Sequence, residues 1–265
     1  MTVTASSIDQ VSIAFEDKGI GPTTLVFIHG LSGNRTDFDS QVSFFATSHR
    51  VVTIDLPGSG ESGRNRTTWS MALFGRDVAD VADRLGLDDV VLVGHSFGGD
   101  VTVEAARLLG ERVKALVWIN SRKTLGDHMP NSEIEKWLAP FTTDFAAAMN
   151  DLTRRNFGPN ADPDQVDAVA TAAMTMDPGR TIGILNAYLY NEPALIRGLS
   201  ELSAPVFAIN AGFKPSDQGS LEAHGIDLTV IDDVGHFIML EDPDSFNRTL
   251  TNILTQLNSS PAMPT

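Results

Sequence analysis

The segment Val90-Val91-Leu92-Val93-Gly94-His95-Ser96-Phe97-Gly98-Gly99 constrains this chain more than any other. Four branched apolar residues run straight into Gly-X-Ser-X-Gly. The pattern predicts a buried strand ending at Val93 and a helix starting just after Ser96. The turn between them must be so sharp that no side chain fits at its flanks, hence Gly94 and Gly98. Such a turn lifts a serine hydroxyl out of a sheet and aims the first amides of the helix at the same spot. That geometry suits a nucleophile and the oxyanion it would create.

Other short apolar runs share this character. They are Thr24-Leu25-Val26-Phe27-Ile28, Arg50-Val51-Val52-Thr53-Ile54-Asp55, Val113-Lys114-Ala115-Leu116-Val117-Trp118-Ile119, Pro205-Val206-Phe207-Ala208-Ile209 and Leu228-Thr229-Val230-Ile231. Apolar on both faces, they read as parallel strands covered by helices. Residues 11–15 alternate apolar with polar, which predicts an antiparallel strand at a sheet edge. Helical patterns lie between the runs, over residues 71–85, 97–109 and 244–257. Alternating strands and helices predict an α/β fold with a mostly parallel, doubly wound sheet. Ligands of such sheets bind at the carboxyl ends of the strands, where the glycine-rich turns of this chain fall.

Residues 121–200 break the pattern. They hold no strand-like run, and Ile134, Trp137, Leu138, Phe141 and Phe145 recur at helical spacing. They are expected to form a helical cap inserted into a core made of residues 1–120 and 201–265. Most of the cap aromatics are expected to pack it onto the core, with Trp137 and Phe141 contributing to a substrate pocket beside His29 and Gly30. The tail, residues 258–265, carries two prolines and is expected to fray.

Composition narrows the function. The 265 residues carry 19 Lys and Arg against 34 Asp and Glu, a net charge of −15. Such a surface disfavours nucleic acid and anionic membranes and favours neutral or cationic ligands. The chain has no cysteine, which excludes disulfides, thiol catalysis and Cys-based metal sites. Met1-Thr2-Val3-Thr4-Ala5-Ser6-Ser7 lacks the basic start and apolar run of a signal peptide, and no apolar stretch is long enough to span a bilayer. A cytoplasmic location and a small-molecule substrate are the expectations; oligomeric state is not legible. No metal or other cofactor is expected, because no HExxH or paired ligand spacing occurs. The G-H-S-F-G-G order is not a dinucleotide-binding GxGxxG, and it lacks the lysine of a phosphate-binding loop.

Four motifs in order resemble the α/β-hydrolase family: His29-Gly30-Leu31, Asp55-Leu56-Pro57-Gly58-Ser59-Gly60-Glu61-Ser62, Gly94-His95-Ser96-Phe97-Gly98-Gly99 and Val234-Gly235-His236-Phe237. The resemblance covers roughly residues 10–120 and 203–257. It is nearest to the carboxylesterase and lactonase-like branches; branches with an aspartate nucleophile are disfavoured by Ser96. The resemblance implies that Ser96 attacks an acyl carbon and that His236 moves the proton. It implies an oxyanion hole built from the backbone amides of Leu31 and Phe97. His29 and His95 are expected to fix loops, and Asp55 to cap its own loop.

The family orients its histidine with a carboxylate, and here both usual places are changed. After the run ending at Ile209 the chain reads Asn210-Ala211-Gly212-Phe213-Lys214-Pro215-Ser216-Asp217, with Lys214 where aspartate is expected. After the run ending at Ile119, Asn120 stands at the other. Three readings are open: Asp217 reaching in, Asn120 acting as a neutral amide, or Asp127 folding back from the start of the cap. Asp217 is preferred because a carboxylate stabilises an imidazolium better than an amide does. Asp100 and Glu104, on the helix after Ser96, are expected at its surface or paired with an arginine such as Arg107 or Arg76.

The leading expectation is a metal-free serine hydrolase of small esters or lactones. Alternatives are a carbon–carbon bond hydrolase, a cofactor-free haloperoxidase-like enzyme, or a non-catalytic member of the fold that binds a small ligand.

Overall fold

The computed structural model describes residues 2–6 and 9–259. Its strands are β1 (Thr2–Ser6), β2 (Ser12–Lys18), β3 (Thr24–Ile28), β4 (Arg50–Asp55), β5 (Val90–His95), β6 (Val113–Ile119), β7 (Val206–Ala211) and β8 (Ile226–Ile231). The helices are α1 (Asp39–Phe45), α2 (Met71–Leu85), α3 (Phe97–Leu109), α4 (Asn131–Thr143), α5 (Phe145–Arg154), α6 (Pro163–Met174), α7 (Pro178–Leu189), α8 (Glu192–Ser200), α9 (Gln218–Ala223), α10 (Ile238–Glu241) and α11 (Pro243–Ser259).

The strands form one sheet in the order β1-β2-β4-β3-β5-β6-β7-β8. β1 and β2 pair antiparallel, β2 joins β4 antiparallel, and every later pairing is parallel. The expected edge strand over residues 11–15 is therefore corrected. It extends to Lys18 and lies second from the edge, because β1 adds outside it.

The alternation along β3 explains the layering. Val26 and Ile28 join a core with Phe74 and Val78 of α2 and Val101 of α3. Leu25 and Phe27 join a second core on the other face with Val42 and Phe45 of α1 and Phe246 and Leu250 of α11. A strand buried on both faces has no use for polar residues, which is why these runs are continuously apolar. Each fully buried Leu, Ile or Phe side chain contributes about 1.5–3 kcal/mol of transfer free energy. α2 starts where the Ser70 hydroxyl accepts from the Leu73 amide, 3.1 Å, and ends at Gly86 in the left-handed region.

The chain steps from β3 outward to β4 and then returns to place β5 on the other side of β3. β3 and β5 thus flank the switch point of the sheet, where a crevice opens. In register Ile28 lies beside Gly94, and His95 beside Ile119. The loops after β3, β5 and β6 therefore emerge at one level. Between β6 and β7 the chain forms α4 to α8 and no strand. Ile134, Leu138 and Phe141 of α4, Met149 of α5, Ala173 of α6 and Leu185 of α7 make a small apolar core of their own. Asn258 and Ser259 of the tail are helical; residues 260–265 lie outside the described part.

Candidate active site

Ser96 occupies the turn between β5 and α3 at φ 55°, ψ −128°, a region that L-residues rarely enter. Its amide donates to the Ile119 carbonyl, 2.9 Å, and Gly99 donates back to the Ser96 carbonyl, 2.9 Å. The glycines have the expected reason. A Cβ on Gly94 would overlap the Gly98 carbonyl, and one on Gly98 would sit 2.7 Å from the Ile28 carbonyl oxygen.

Ser96 faces a cavity of about 420 Å³. Leu31, Ser32, His95, Phe97, His236 and Phe237 line it from the sheet side. Trp137 of α4, Leu152 and Thr153 of α5, and Ile184, Leu185, Tyr188 and Leu189 of α7 line it from the helical side. Arg155, Asn156 and Lys214 line one end. Leu31 and Phe97 line this cavity, and among the described residues neither amide donates to a backbone carbonyl in the surrounding turns and loops. No hydrogen bond joins the Ser96 hydroxyl to the His236 ring among the described residues, although both groups line the same space.

The expected pocket needs correction. Trp137 lines it, but His29, Gly30 and Phe141 do not. Phe141 is buried behind Trp137, ring centroids 5.1 Å apart. His29 is buried beneath the loop: its Nδ1–H donates to the Gly30 carbonyl, 2.7 Å, and its Nε2 accepts from the Leu56 amide, 3.0 Å. With both ring nitrogens used, burial pushes its pKa down to about 4. His95 is held similarly, Nε2–H donating 3.0 Å to the carbonyl of His236, and burial lowers it to about 4.

Among the described residues no carboxylate makes a hydrogen bond or ion pair with the His236 ring. Asp217, the expected acid, caps α9, its Oδ1 accepting from the Ser220 amide at 3.0 Å. It is exposed, and no hydrogen bond or ion pair joins it to His236. Asp127 is exposed on the β6–α4 loop and does not line the cavity. Asn120 is buried at φ 48°, and its amide is engaged elsewhere: Nδ2 donates to the Gly235 carbonyl, 3.0 Å, and Oδ1 accepts from the Ala211 amide, 3.1 Å. It splices the ends of β6 and β7 to the histidine loop without using the imidazole. His236 is held well below its ordinary pKa by burial first, then by His95, Lys123 and Lys214.

The motifs did not single out Glu241, which braces this loop. Its Oε2 accepts from the amides of Gly158, 2.8 Å, and Gly235, 2.9 Å, and its Oε1 from Phe237, 3.2 Å. Its sequence signal was its place in Leu240-Glu241-Asp242-Pro243, the run that follows Gly-His-Phe in the family pattern, to which no role was attached. The Asp55 carboxylate accepts from the Glu61 amide, 2.9 Å, and also ion-pairs with Arg35. Glu104 pairs with Arg107, 3.1 Å, as expected. Asp100 does not stay at the surface. It is fully buried against Arg122, 2.6 Å, and also accepts from Asn191, 2.8 Å. Arg122 stacks over Tyr188, 4.1 Å from the ring centroid. Among the described residues no group of three or more His, Cys, Asp or Glu is arranged to hold a metal ion, and no helix is long and apolar enough to cross a membrane.

A family model described as the alpha/beta hydrolase family matches residues 25–249. This chain belongs to the α/β-hydrolase family. The hydrolase is similar to the dihydrolipoyllysine-residue acetyltransferase component of the acetoin cleaving system of Cupriavidus necator, 24% identical, over 92% of this chain and 67% of that protein. It is also similar to the 2-hydroxy-6-oxononadienedioate/2-hydroxy-6-oxononatrienedioate hydrolase of Klebsiella pneumoniae subsp. pneumoniae, 27% identical over 92% and 91% of the two chains. Against that Cupriavidus relative and two other curated relatives the match spans 67%, 40% and 29% of the relative's own length. Among solved structures, an esterase from Thermogutta terrifontis superposes with a TM-score of 0.83 at 21% identity, covering 98% of this chain and 100% of that one. That likeness speaks for the fold.

Proposed function

We propose that this α/β-hydrolase is a serine hydrolase that cleaves small-molecule esters or lactones through an acyl-enzyme. Ser96 Oγ attacks the acyl carbon while His236 takes the hydroxyl proton and passes it to the departing alkoxide. Water then enters, His236 takes its proton, and the acyl group leaves as a carboxylic acid with the proton returned to Ser96. The Leu31 and Phe97 amides hold the oxyanion at each step, and each such donor is worth about 3–4 kcal/mol of barrier. Residues 121–200 act as the cap that roofs the substrate. The reading calls on no cofactor and on no nucleic-acid or membrane partner, and it suits a cytoplasmic enzyme.

One observation carries this reading: Ser96, held at a strained backbone angle, shares one cavity with His236, Leu31 and Phe97. A binder would gain nothing from holding Ser96 at a costly backbone angle. The test is hydrolysis of a short-chain p-nitrophenyl ester by the wild type and Ser96→Ala. The expected loss is at least ~10³-fold in kcat. Retention of turnover by Ser96→Ala would overturn it.

A second reading has one observation in its favour. The Klebsiella relative, named for a reaction on a dicarboxylate, matches along nearly the whole chain, and the cavity end here carries Arg155 and Lys214. Carbon–carbon bond hydrolysis is separated from ester cleavage by assaying the same pair of proteins on a 2-hydroxy-6-oxodienoate.

A further inference from the structure

Beside His236 lies a recess of about 20 Å³, lined by Asn120, Lys123, Asn156, Lys214 and His236 among others. That volume admits one water-sized group. Lys214, Asn156 and His236 line both the recess and the end of the main cavity, so a ligand in the cavity can extend one atom into the recess.

The two ammonium groups here have only neutral acceptors. Lys123 Nζ donates to the Ala211 carbonyl, 2.8 Å, and Lys214 Nζ to Asn156 Oδ1, 2.8 Å. Neither has an acidic partner among the described residues, in a chain whose acids outnumber its bases by 15. The carboxylates on adjoining loops do not serve. Glu241 is spent on three amides, and Asp232 does not line the recess. Asn120 directs its amide to Gly235 and Ala211, and no hydrogen bond joins it to the His236 ring among the described residues.

A proton taken from Ser96 would create an imidazolium between two like charges, with no counter-charge from the protein. An uncompensated buried charge of this kind is costly. A negative group is what the place lacks.

We propose that the substrate supplies it: the hydrolase acts on carboxylate-bearing esters, and one oxygen of that carboxylate enters the recess between Lys123 and Lys214 and completes the proton relay at His236. This rests on the serine-hydrolase reading above. Arg155, at the same end of the cavity, attracts the same group. The lowering of Lys123 to about 8 by burial and by Lys214 fits two cations that await an anion.

The experiment pairs the monoethyl esters of succinic, glutaric and adipic acids with ethyl butyrate, valerate and hexanoate. At least one half-ester is expected to exceed its neutral partner by about 10- to 100-fold, mainly in kcat, because a carboxylate behind a catalytic histidine acts on the transition state. Lys214→Met is expected to shrink that ratio. Formate added at constant ionic strength is expected to raise kcat on ethyl hexanoate in the wild type, showing that a free carboxylate can substitute. Lys214→Asp, which brings a carboxylate of its own, is expected to abolish that activation. Equal turnover of half-esters and neutral esters, Ser96-dependent and indifferent to formate, overturns the inference and leaves the serine-hydrolase reading standing. Loss of Ser96 dependence on every ester overturns that reading instead. The recess is then judged by the ring ¹⁵N shifts of His236 during a formate titration: a shift that Lys214→Met removes supports an anion site, and no shift rejects it.

Discussion

The imidazole of His95 donates a 3.0 Å hydrogen bond to the backbone carbonyl of His236, and the two rings lie 4.6 Å apart. The residue preceding the nucleophile thus sets the height of the loop that carries the proposed base. His95→Phe keeps the ring and removes the donor. The unpaired carbonyl is expected to cost about 1–3 kcal/mol of stability, with a matching fall in kcat. Denaturant midpoints and ester turnover measured on one preparation check both.

Ser96 is held at φ 55°, which glycine adopts freely. Ser96→Gly is therefore expected to abolish turnover while raising stability by about 1 kcal/mol. A lower thermal midpoint for the variant would show that the turn is not strained.

Asp100 and Arg122 form a buried ion pair that ties α3 to the segment leading into the helical layer, with Asn191 of the α7–α8 turn as a third member. Asp100→Ala leaves the guanidinium buried and unpaired and is expected to cost about 3–5 kcal/mol. Removing both partners, with Asp100→Ala and Arg122→Met, is expected to cost less than the single change. A double-mutant cycle in urea reads the difference.

Glu241→Gln puts an amide NH₂ where one or two backbone N–H groups now meet a carboxylate oxygen. The expected loss is about 1.5–3 kcal/mol. Because the loop bears His236, kcat is expected to fall more than KM rises. An unchanged kcat would make Glu241 a purely structural brace.

His29 and His95 titrate near 4 in the folded protein, and His236 well below its ordinary value, all chiefly through burial. Above pH 6.5 these groups are neutral in both folded and unfolded chains, so none costs stability there. As pH falls below 6.5 the unfolded chain takes up protons that the folded one refuses, and stability declines until the folded values are reached. With all three contributing, the slope approaches about 4 kcal/mol per pH unit. Urea midpoints between pH 7 and pH 4.5 should show this steepness, and His95→Phe should reduce it. A flat profile would mean that these rings accept protons in the native state.

The sheet was legible because a parallel strand covered on both faces must be apolar throughout. The continuous runs over residues 24–28, 51–54, 90–93 and 113–119 say so without reference to the rest of the chain. β1 escaped notice because Thr2–Ser6 is mixed and pairs only at the edge. The serine turn was legible in part for a local reason, since Gly94 answers a contact with Gly98 four residues on, whereas Gly98 answers the Ile28 carbonyl of the neighbouring strand. Asp100 was expected at the surface or paired with an arginine; the pairing holds, but its burial and the identity of Arg122 depend on a partner 22 residues away.

By itself the sequence determined the α/β layering, the sharp turn at Ser96 and the order of the loops that meet at the strand ends. These depend on backbone sterics and on hydrophobic periodicity, which act between near neighbours. Only the tertiary structure decided what stands beside His236. Lys123, Asn156 and Lys214 come from three separate loops, and their charges act through space rather than along the chain. The sequence already put Lys214 and Asn120 at the two usual places of the acid; only the fold showed that neither Asp217 nor Asp127 reaches His236 and that Lys123 joins Lys214 beside it.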